Sequence, residues 1–332
     1  VSGTTLGVSV ALCTRNGEAF IIDQIRSILQ QSVLPREIVL SDDASTDSTV
    51  ERAVETVASH ERSVDLVVLR NPKPLGVTLN FEQAVLECRF ELIALCDQDD
   101  VWYPDKLSRM TARFEHDEHL QLLFSDAQLV GVTGEPLGDS LFHAIGFTGA
   151  AVRAVHEGEA FSVLCKRNVV TGATVLVRRD FARAVAPFPA GWVHDEWIAM
   201  AASIVGQLDV LDKPLVDYRQ HGNNEIGASR LSIFARFARI AEAGFERNRR
   251  LLDRATNLAA RLPTLPGAVS AKQAHSVKQK LEHERVRSGL SLHRLERITP
   301  VFREITTGRY HSFGRGLFDA VRDLLQPLGA PR

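Results

Sequence analysis

The sequence is poor in cysteine, and the cysteines it has are badly spaced for a disulfide framework or a thiolate metal site. Cys13, Cys88, Cys96 and Cys165 are the four in 332 residues, with no CxxC pair among them. Three sit in apolar runs, where a free thiol packs as a small hydrophobe, so a reducing, cytoplasmic setting is expected. No stretch of about 18 uncharged apolar residues occurs, and the start VSGTTLGVSVALC lacks a basic region ahead of a long apolar core. Neither a spanning helix nor a leader is therefore expected. No GxGxxG follows the first apolar run, which removes the common dinucleotide fingerprint.

Charge is scarce only in the sum. The formal net charge is -2, yet residues 228–332 hold 20 Lys+Arg against 9 Asp+Glu, leaving 19 against 32 for residues 1–227. The acidic front part is the wrong sign for a nucleic-acid groove, so no nucleic-acid partner is expected there. The basic tail needs its own explanation.

What is present is a regular alternation. Apolar runs at Gly7–Cys13, Arg36–Ser41, Val64–Leu69 and Phe90–Cys96 read as strands. Between them, Ala19–Gln31, Ser48–Ser59 and Leu75–Cys88 read as helices. Nearly continuous apolar strands separated by helices predict a parallel sheet covered on both faces. Pro104 is expected to open a helix to about Glu115, followed by a strand at Leu120–Ser125 and another over 170–178. A helix is expected from His194 to Val205, then short extended pieces at Leu208–Leu211 and Leu215–Tyr218. The Gly-interrupted stretch from Val130 to Gly149 yields no clear element. Beyond Gly227 the pattern turns helical, divided near Pro263 and Pro266 and again near Pro300.

Ligands of such sheets gather beyond the carboxyl ends of the strands. Those ends carry Thr14-Arg15-Asn16-Gly17, Asp42-Asp43-Ala44-Ser45-Thr46-Asp47 and Asp97-Gln98-Asp99-Asp100. Three carboxylates in four positions repel one another unless a cation, hydrogen bonds or water compensates. A divalent, oxygen-seeking ion bridging a diphosphate would supply that; a solvated turn with helix-capping aspartates is the plainer alternative.

In their order, these segments resemble the nucleotide-binding half of the inverting family 2 glycosyltransferases with the GT-A fold. The resemblance continues through Thr171-Gly172-Ala173-Thr174, His194-Asp195-Glu196-Trp197 and Tyr218-Arg219-Gln220-His221-Gly222-Asn223-Asn224, and so covers roughly residues 7–227. It implies an α/β GT-A fold, a mostly parallel mixed sheet flanked by helices, with a catalytic domain over 1–227 and a helical accessory region over 228–332. It also implies roles. Thr14 and Asn16 would belong to the donor-binding turn. Asp43 would accept from the imide N–H of uracil or thymine, with Asp42 supporting its turn. Asp97 would lie toward the ribose and metal-bound water, and Asp99 would be the principal ligand of Mg2+ or Mn2+. Arg219 and His221 would close the donor site, His221 toward the metal. Asp195 would be the catalytic base, with Glu196 as its competitor. Trp102 and Trp197 are either sugar walls or core, and Gly172 either permits a close backbone approach or simply starts a strand.

The particular acidic, HDEW and RQHGNN segments are similar to those of bacterial rhamnosyltransferases, which implies dTDP-L-rhamnose as donor and a cell-surface polysaccharide or glycolipid acceptor. A UDP-hexose donor is the alternative, because thymine and uracil share the imide. Two other function classes stand beside it. One is a nucleotidyltransferase, whose early Gly-rich basic loop is missing; the other is a non-catalytic carbohydrate-binding or scaffold domain. In the tail, Leu231, Phe234, Phe237 and Ile240 share a helical side flanked by Arg230, Arg236 and Arg239. That side is expected either at an anionic membrane surface, against the α/β domain, or against a second subunit in a homo-oligomer.

Overall fold

The computed structural model describes residues 6–61, 64–220 and 244–326; for 244 and 245 it describes the backbone alone. His221 and the stretch from Arg230 to Ile240 therefore lie outside the described residues. The chain divides into two compact units. The first comprises Val1–Ala160, Val169–Phe188 and Val193–Ala228, and the second Phe161–Asn168, Pro189–Trp192 and Ser229–Arg332. The expected boundary at 227/228 omits the two short segments, 161–168 and 189–192, that group with the helical unit.

The first unit begins with strands β1 (Val8–Thr14), β2 (Glu37–Asp42), β3 (Asp65–Arg70) and β4 (Leu92–Cys96), joined by helices α1 (Ile21–Leu29), α2 (Thr49–Ala58) and α3 (Val77–Glu87). Strands β1, β2 and β4 are buried along their whole length, which is why they read as unbroken apolar runs. Helix α1 inserts Ile21, Ile25, Ile28 and Leu29 into the core. Each such side chain contributes roughly 1.5–3 kcal/mol by leaving water. Then come β5 (Val101–Trp102), α4 (Lys106–His116), β6 (Leu122–Val130), β7 (Pro136–Ser140), α5 (Leu141–Ile145) and α6 (Ala150–His156), while α7 (Ala160–Leu164) lies, but for its first residue, in the second unit. They are followed by β8 (Val175–Arg178), α8 (Arg179–Ala184), α9 (His194–Ile204) and β9 (Leu208–Arg219).

The sheet runs β3-β2-β1-β4-β8-β6-β9-β5, with β7 on β6. Pairs β1–β2, β2–β3, β1–β4 and β6–β9 are parallel, whereas β8 runs antiparallel to both β4 and β6. This is the expected mixed α/β sheet. The order reverses at β1, where the chain passes to β2 on one side and returns to β4 on the other. A crevice thus opens at the carboxyl ends of β1 and β4.

Three local expectations change. Helix α4 starts at Lys106 rather than Pro104, with Asp105 in the cap position. Strand β9 is one element of 12 residues, its register against β6 shifting where Asp126 meets Pro214. A proline has no N–H to give a ladder, so the strand bulges instead of ending. The helix division expected near Pro300 falls at 289–297, ahead of that proline. Pro300 itself lies in the first turn of a helix, where its missing N–H costs nothing.

In the second unit the helices are α10 (Gly244–Arg261), α11 (Ala271–Ser288), α12 (Ile298–Thr306), α13 (Arg309–Phe313) and α14 (Leu317–Leu325). Ser270 and Gln273 form a reciprocal capping box at the start of α11. The break near Pro263 and Pro266 is real: a 3-10 turn, Leu262–Thr264, ends α10.

Candidate active site

The loops after β1, β2 and β4 are tied to one another by side chains that reach backbone groups. Thr14 Oγ1 donates to Asp42 Oδ1 (2.8 Å), and Asp42 also accepts from the hydroxyl and N–H of Ser45. Asn16 sits at φ 48° and accepts the Thr46 N–H on Oδ1 (2.9 Å), while its own N–H donates to Ser45 Oγ (2.8 Å). Thr14, Asn16 and Asp42 therefore build the turn; their side-chain oxygens serve the protein. Asp43 is buried, and its two oxygens accept the N–H groups of Leu75 (2.6 Å) and Gly76 (3.0 Å), with Arg15 Nη1 at 3.9 Å. A carboxylate has further lone pairs, so accepting a base imide in addition is chemically compatible with this geometry.

Gln98 is the residue that sequence reasoning passed over. It accepts the Arg15 N–H (2.8 Å) and donates to the Arg15 carbonyl (3.0 Å), stapling the acidic loop to the β1 loop. Gly17 makes room for it, since a Cβ there would stand 2.2 Å from Gln98 Oε1. The signal in the sequence was the glycine after Asn16, whose partner only the fold reveals.

Asp97 and Asp99 are half-buried at the end of β4, and Asp100 is buried. Asp100 Oδ1 accepts the Arg219 N–H (3.0 Å), and Oδ2 has no hydrogen-bond partner. Burial, then the Asp99 and Asp97 carboxylates, push the Asp100 acid well above its ordinary range. Arg219, expected at the diphosphate, is instead built into the wall. It is buried, with Nε donating to the Asp99 carbonyl (2.8 Å), Nη1 to the Val132 carbonyl, and its guanidinium over Phe20. Those bonds fix the acidic loop against β9.

On the far side of the crevice, Asp195 opens α9. It is buried, Oδ2 accepting the Gly172 N–H (2.8 Å) and Oδ1 the Glu196 N–H (2.7 Å), while Glu196 is half-buried. Gly172 belongs to a 3-10 turn leading into β8, and a Cβ on it would lie 2.9 Å from His194 Nε2. The glycine is therefore there for close approach and not merely for strand entry. His194 stacks on Phe81 (centroids 3.8 Å apart), neither ring nitrogen has a hydrogen-bond partner, and burial pulls its imidazole down to about 3. The ring is neutral at working pH.

Lys106 is buried beneath the same crevice, 3.7 Å from the Trp102 ring, and donates to the Ala173 carbonyl (2.7 Å). Burial pulls its ammonium down to about 7, against the opposing pull of Cys96, Asp100 and Asp97. Trp102 and Trp197 are core side chains, Trp197 donating to the Val185 carbonyl (2.9 Å), so neither is an exposed sugar wall. Trp192 belongs to the helical unit.

One residue registers the whole arrangement. Burial, followed by the carboxylates of Asp100, Asp97, Asp99 and Asp195, pushes the Tyr218 phenol far above its ordinary range. The acidic loop and the α9 carboxylate thus share one electrostatic neighbourhood. Among the described residues no three His, Cys, Asp or Glu side chains are grouped to enclose a metal ion. The hard oxygens of Asp97 and Asp99, half-buried at the end of β4, suit Mg2+ or Mn2+ in the manner of ions that take one or two carboxylates and complete their shell with substrate phosphate.

Comparison with known proteins bears on the fold. Residues 9–132 match the family described as Glycosyl transferase family 2. An uncharacterized Mycobacterium tuberculosis protein is 24% identical over 219 residues, covering 65% of this chain and 59% of that protein. The chain thus spans about three fifths of the length of the first curated relatives it matches. The dTDP-rhamnosyl transferase RfbG of Shigella flexneri is 25% identical over 259 residues, covering 72% of this chain and 80% of RfbG. Among solved structures, Staphylococcus aureus TarS 1-349 in complex with UDP-GlcNAc superposes with a TM-score of 0.58 at 16% identity, over 96% of this chain and 88% of that one. The Pyrobaculum calidifontis mannosyltransferase in complex with GDP-Man and Mn2+ gives 0.52 at 15% identity, over 92% of this chain and 76% of that one. With the sheet order and these superpositions, the fold of the chain is that of the GT-A-like glycosyltransferases, and its segment 9–132 is similar to Glycosyl transferase family 2.

Proposed function

We propose that this chain is a glycosyltransferase that moves a sugar from a nucleoside diphosphate to an acceptor hydroxyl on a polysaccharide or glycolipid, with inversion at the anomeric carbon. The observation that carries the reading is that the Gly172–Thr174 turn, whose first N–H holds Asp195, leads into β8, and β8 pairs antiparallel with β4 so that Leu176 meets Ala94 and the turn lies at the end of β4 that carries the acidic loop. The loop would receive the diphosphate, and Asp195 would face the incoming acceptor. As the acceptor oxygen bonds to the anomeric carbon, its proton passes to Asp195, and the bond to the diphosphate oxygen breaks on the opposite face. The two N–H groups on Asp195 orient its carboxylate for that role. Asp99, with Asp97 and His221, would hold Mg2+ or Mn2+. Such an ion, when bound, neutralises charge on the departing diphosphate, so the chain needs no acid there.

For the donor we place a UDP-hexose ahead of dTDP-L-rhamnose. The same fold holds UDP-GlcNAc in TarS and GDP-Man in the Pyrobaculum mannosyltransferase, so the fold does not select rhamnose. The printed activity of RfbG, at 25% identity, supports rhamnose as the second reading. Competition among UDP-glucose, UDP-galactose, UDP-GlcNAc, GDP-mannose and dTDP-rhamnose for the purified chain decides between them. A preference for dTDP-rhamnose reverses the order. Donor binding with neither hydrolysis nor transfer to any of a broad acceptor panel would leave a carbohydrate-binding protein instead of an enzyme.

A further inference from the structure

Over residues 291–326 of the helical unit, three acids are buried while several large apolar side chains are exposed. Glu304 is buried against His283 Nδ1 (2.6 Å) and Arg309. Asp319 is buried against Arg247 and the Arg315 N–H, and Asp323 against Arg287 (2.7 Å) and the Tyr310 hydroxyl. Outward, the turn before α12 and the helix itself expose Leu295 (81%), Ile298 and Phe302 (64%), spaced three and four apart. Helix α14, which packs on α12, exposes Phe318, Val321 and Leu325 at the same spacing. Each trio lies on one side of its helix. The charges exposed around these stripes are Arg294, Arg303 and Arg315, against the single exposed acid Glu296 over 291–326.

We propose that this face, formed by residues 292–325, docks on an anionic lipid surface. The apolar stripes suit shallow insertion at the headgroup boundary, and the flanking arginines match a negatively charged leaflet. Charge argues against a second copy of the chain on the same face. Self-pairing would bring two sets of three arginines together with one acid on each side, and like charges across an interface repel. Among the described residues no helix is long and apolar enough to cross a membrane. The proposal is independent of which sugar the α/β unit transfers.

Flotation of the full chain with vesicles of phosphatidylcholine alone, or mixed with phosphatidylglycerol, tests it. Recovery is expected with the mixed vesicles at low salt and reduced at high salt. The Arg294→Gln, Arg303→Gln, Arg315→Gln variant should lose on the order of 100-fold in partitioning, from ~1 kcal/mol per arginine near the surface. The Leu295→Ser, Phe302→Ser, Val321→Ser variant should stay in solution with both vesicle types. All six positions are exposed, so both variants should keep the parent circular dichroism. Equal recovery with neutral and mixed vesicles, recovery with neither, or undiminished recovery of either variant overturns the proposal. So does an apolar variant that still floats but sediments as a smaller species than the parent, which would assign the face to a second copy.

Discussion

Gly172 has no room for a side chain, because a Cβ would meet His194 Nε2 at 2.9 Å, and its N–H holds Asp195. Gly172→Ala should therefore lower the unfolding free energy by about 1–3 kcal/mol, the usual cost of overpacking, and slow transfer as Asp195 shifts. Urea denaturation with parallel turnover checks it; a change under about 0.5 kcal/mol means the contact has slack. Asp99→Asn and Asp195→Asn should separate. The first should weaken Mn2+-supported donor binding in calorimetry. The second should spare most of that binding and cut turnover by about 100- to 10,000-fold. Full turnover in Asp195→Asn removes it from the base role and turns attention to Glu196. His194 provides a pH test. Its folded value of about 3 lies below the ordinary 6.5, so the unfolded state binds the extra proton between them. Its contribution is complete above 6.5 and is lost as pH falls toward 3, at about 1.4 kcal/mol per pH unit in that window. The fall in stability between about pH 6 and 5 should be shallower by roughly that amount in His194→Phe.

At the scale of elements, the acidic loop is held from two sides, by Gln98 to the β1 loop and by Arg219 to β9. Removing Gln98 deletes two hydrogen bonds, which costs about 1–3 kcal/mol. Gly17→Ala alone should be worse than Gly17→Ala placed on Gln98→Ala, because the obstructing atoms belong to Gln98 itself. A double-mutant cycle measures that coupling, and strict additivity would remove the staple. Strands β1, β2 and β4 were legible because each lies buried along its whole length and so shows no polar alternation, and the half-buried edge strand β3 was legible from its run of Leu66, Val67, Val68 and Leu69. Strand β9 was read as two pieces because Pro214 marks an ending in isolation, whereas its long pairing with β6 carries the chain past it. The hairpin β6–β7 and α5 escaped the sequence because glycines at 134, 138 and 146, all at positive φ, obscure any period.

For the whole molecule, the contrast between an acidic front and a basic tail is resolved by where the charges go. In the helical unit Arg287 is buried between Asp323 and Glu284, with Tyr310 donating to the same Asp323 oxygen. Arg287→Met should cost about 3–5 kcal/mol by leaving Asp323 buried without its cation, while Glu284 keeps Lys280 at 3.3 Å. Calorimetry of the full chain should show the loss. A neutral result means Asp323 protonates or reaches water instead.

Sequence by itself determined the βα order, the carboxyl-end placement of the acidic segments and the helical character of the tail. These depend on local periodicity and on which residues follow an apolar run. Tertiary structure alone decided what each polar side chain does there. Arg219 and Asp43 are both polar residues of matching motifs, yet one is spent on loop carbonyls and the other receives two backbone N–H groups from residues some thirty positions away. Such partners are set by which strands become neighbours, and nothing in a residue's own surroundings in the chain encodes that distance. The same holds for the outward apolar stripes of α12 and α14. A helix shows from its sequence that it has an apolar side, but only packing shows that Glu304, Asp319 and Asp323 share the buried side with Val301 and Ala320.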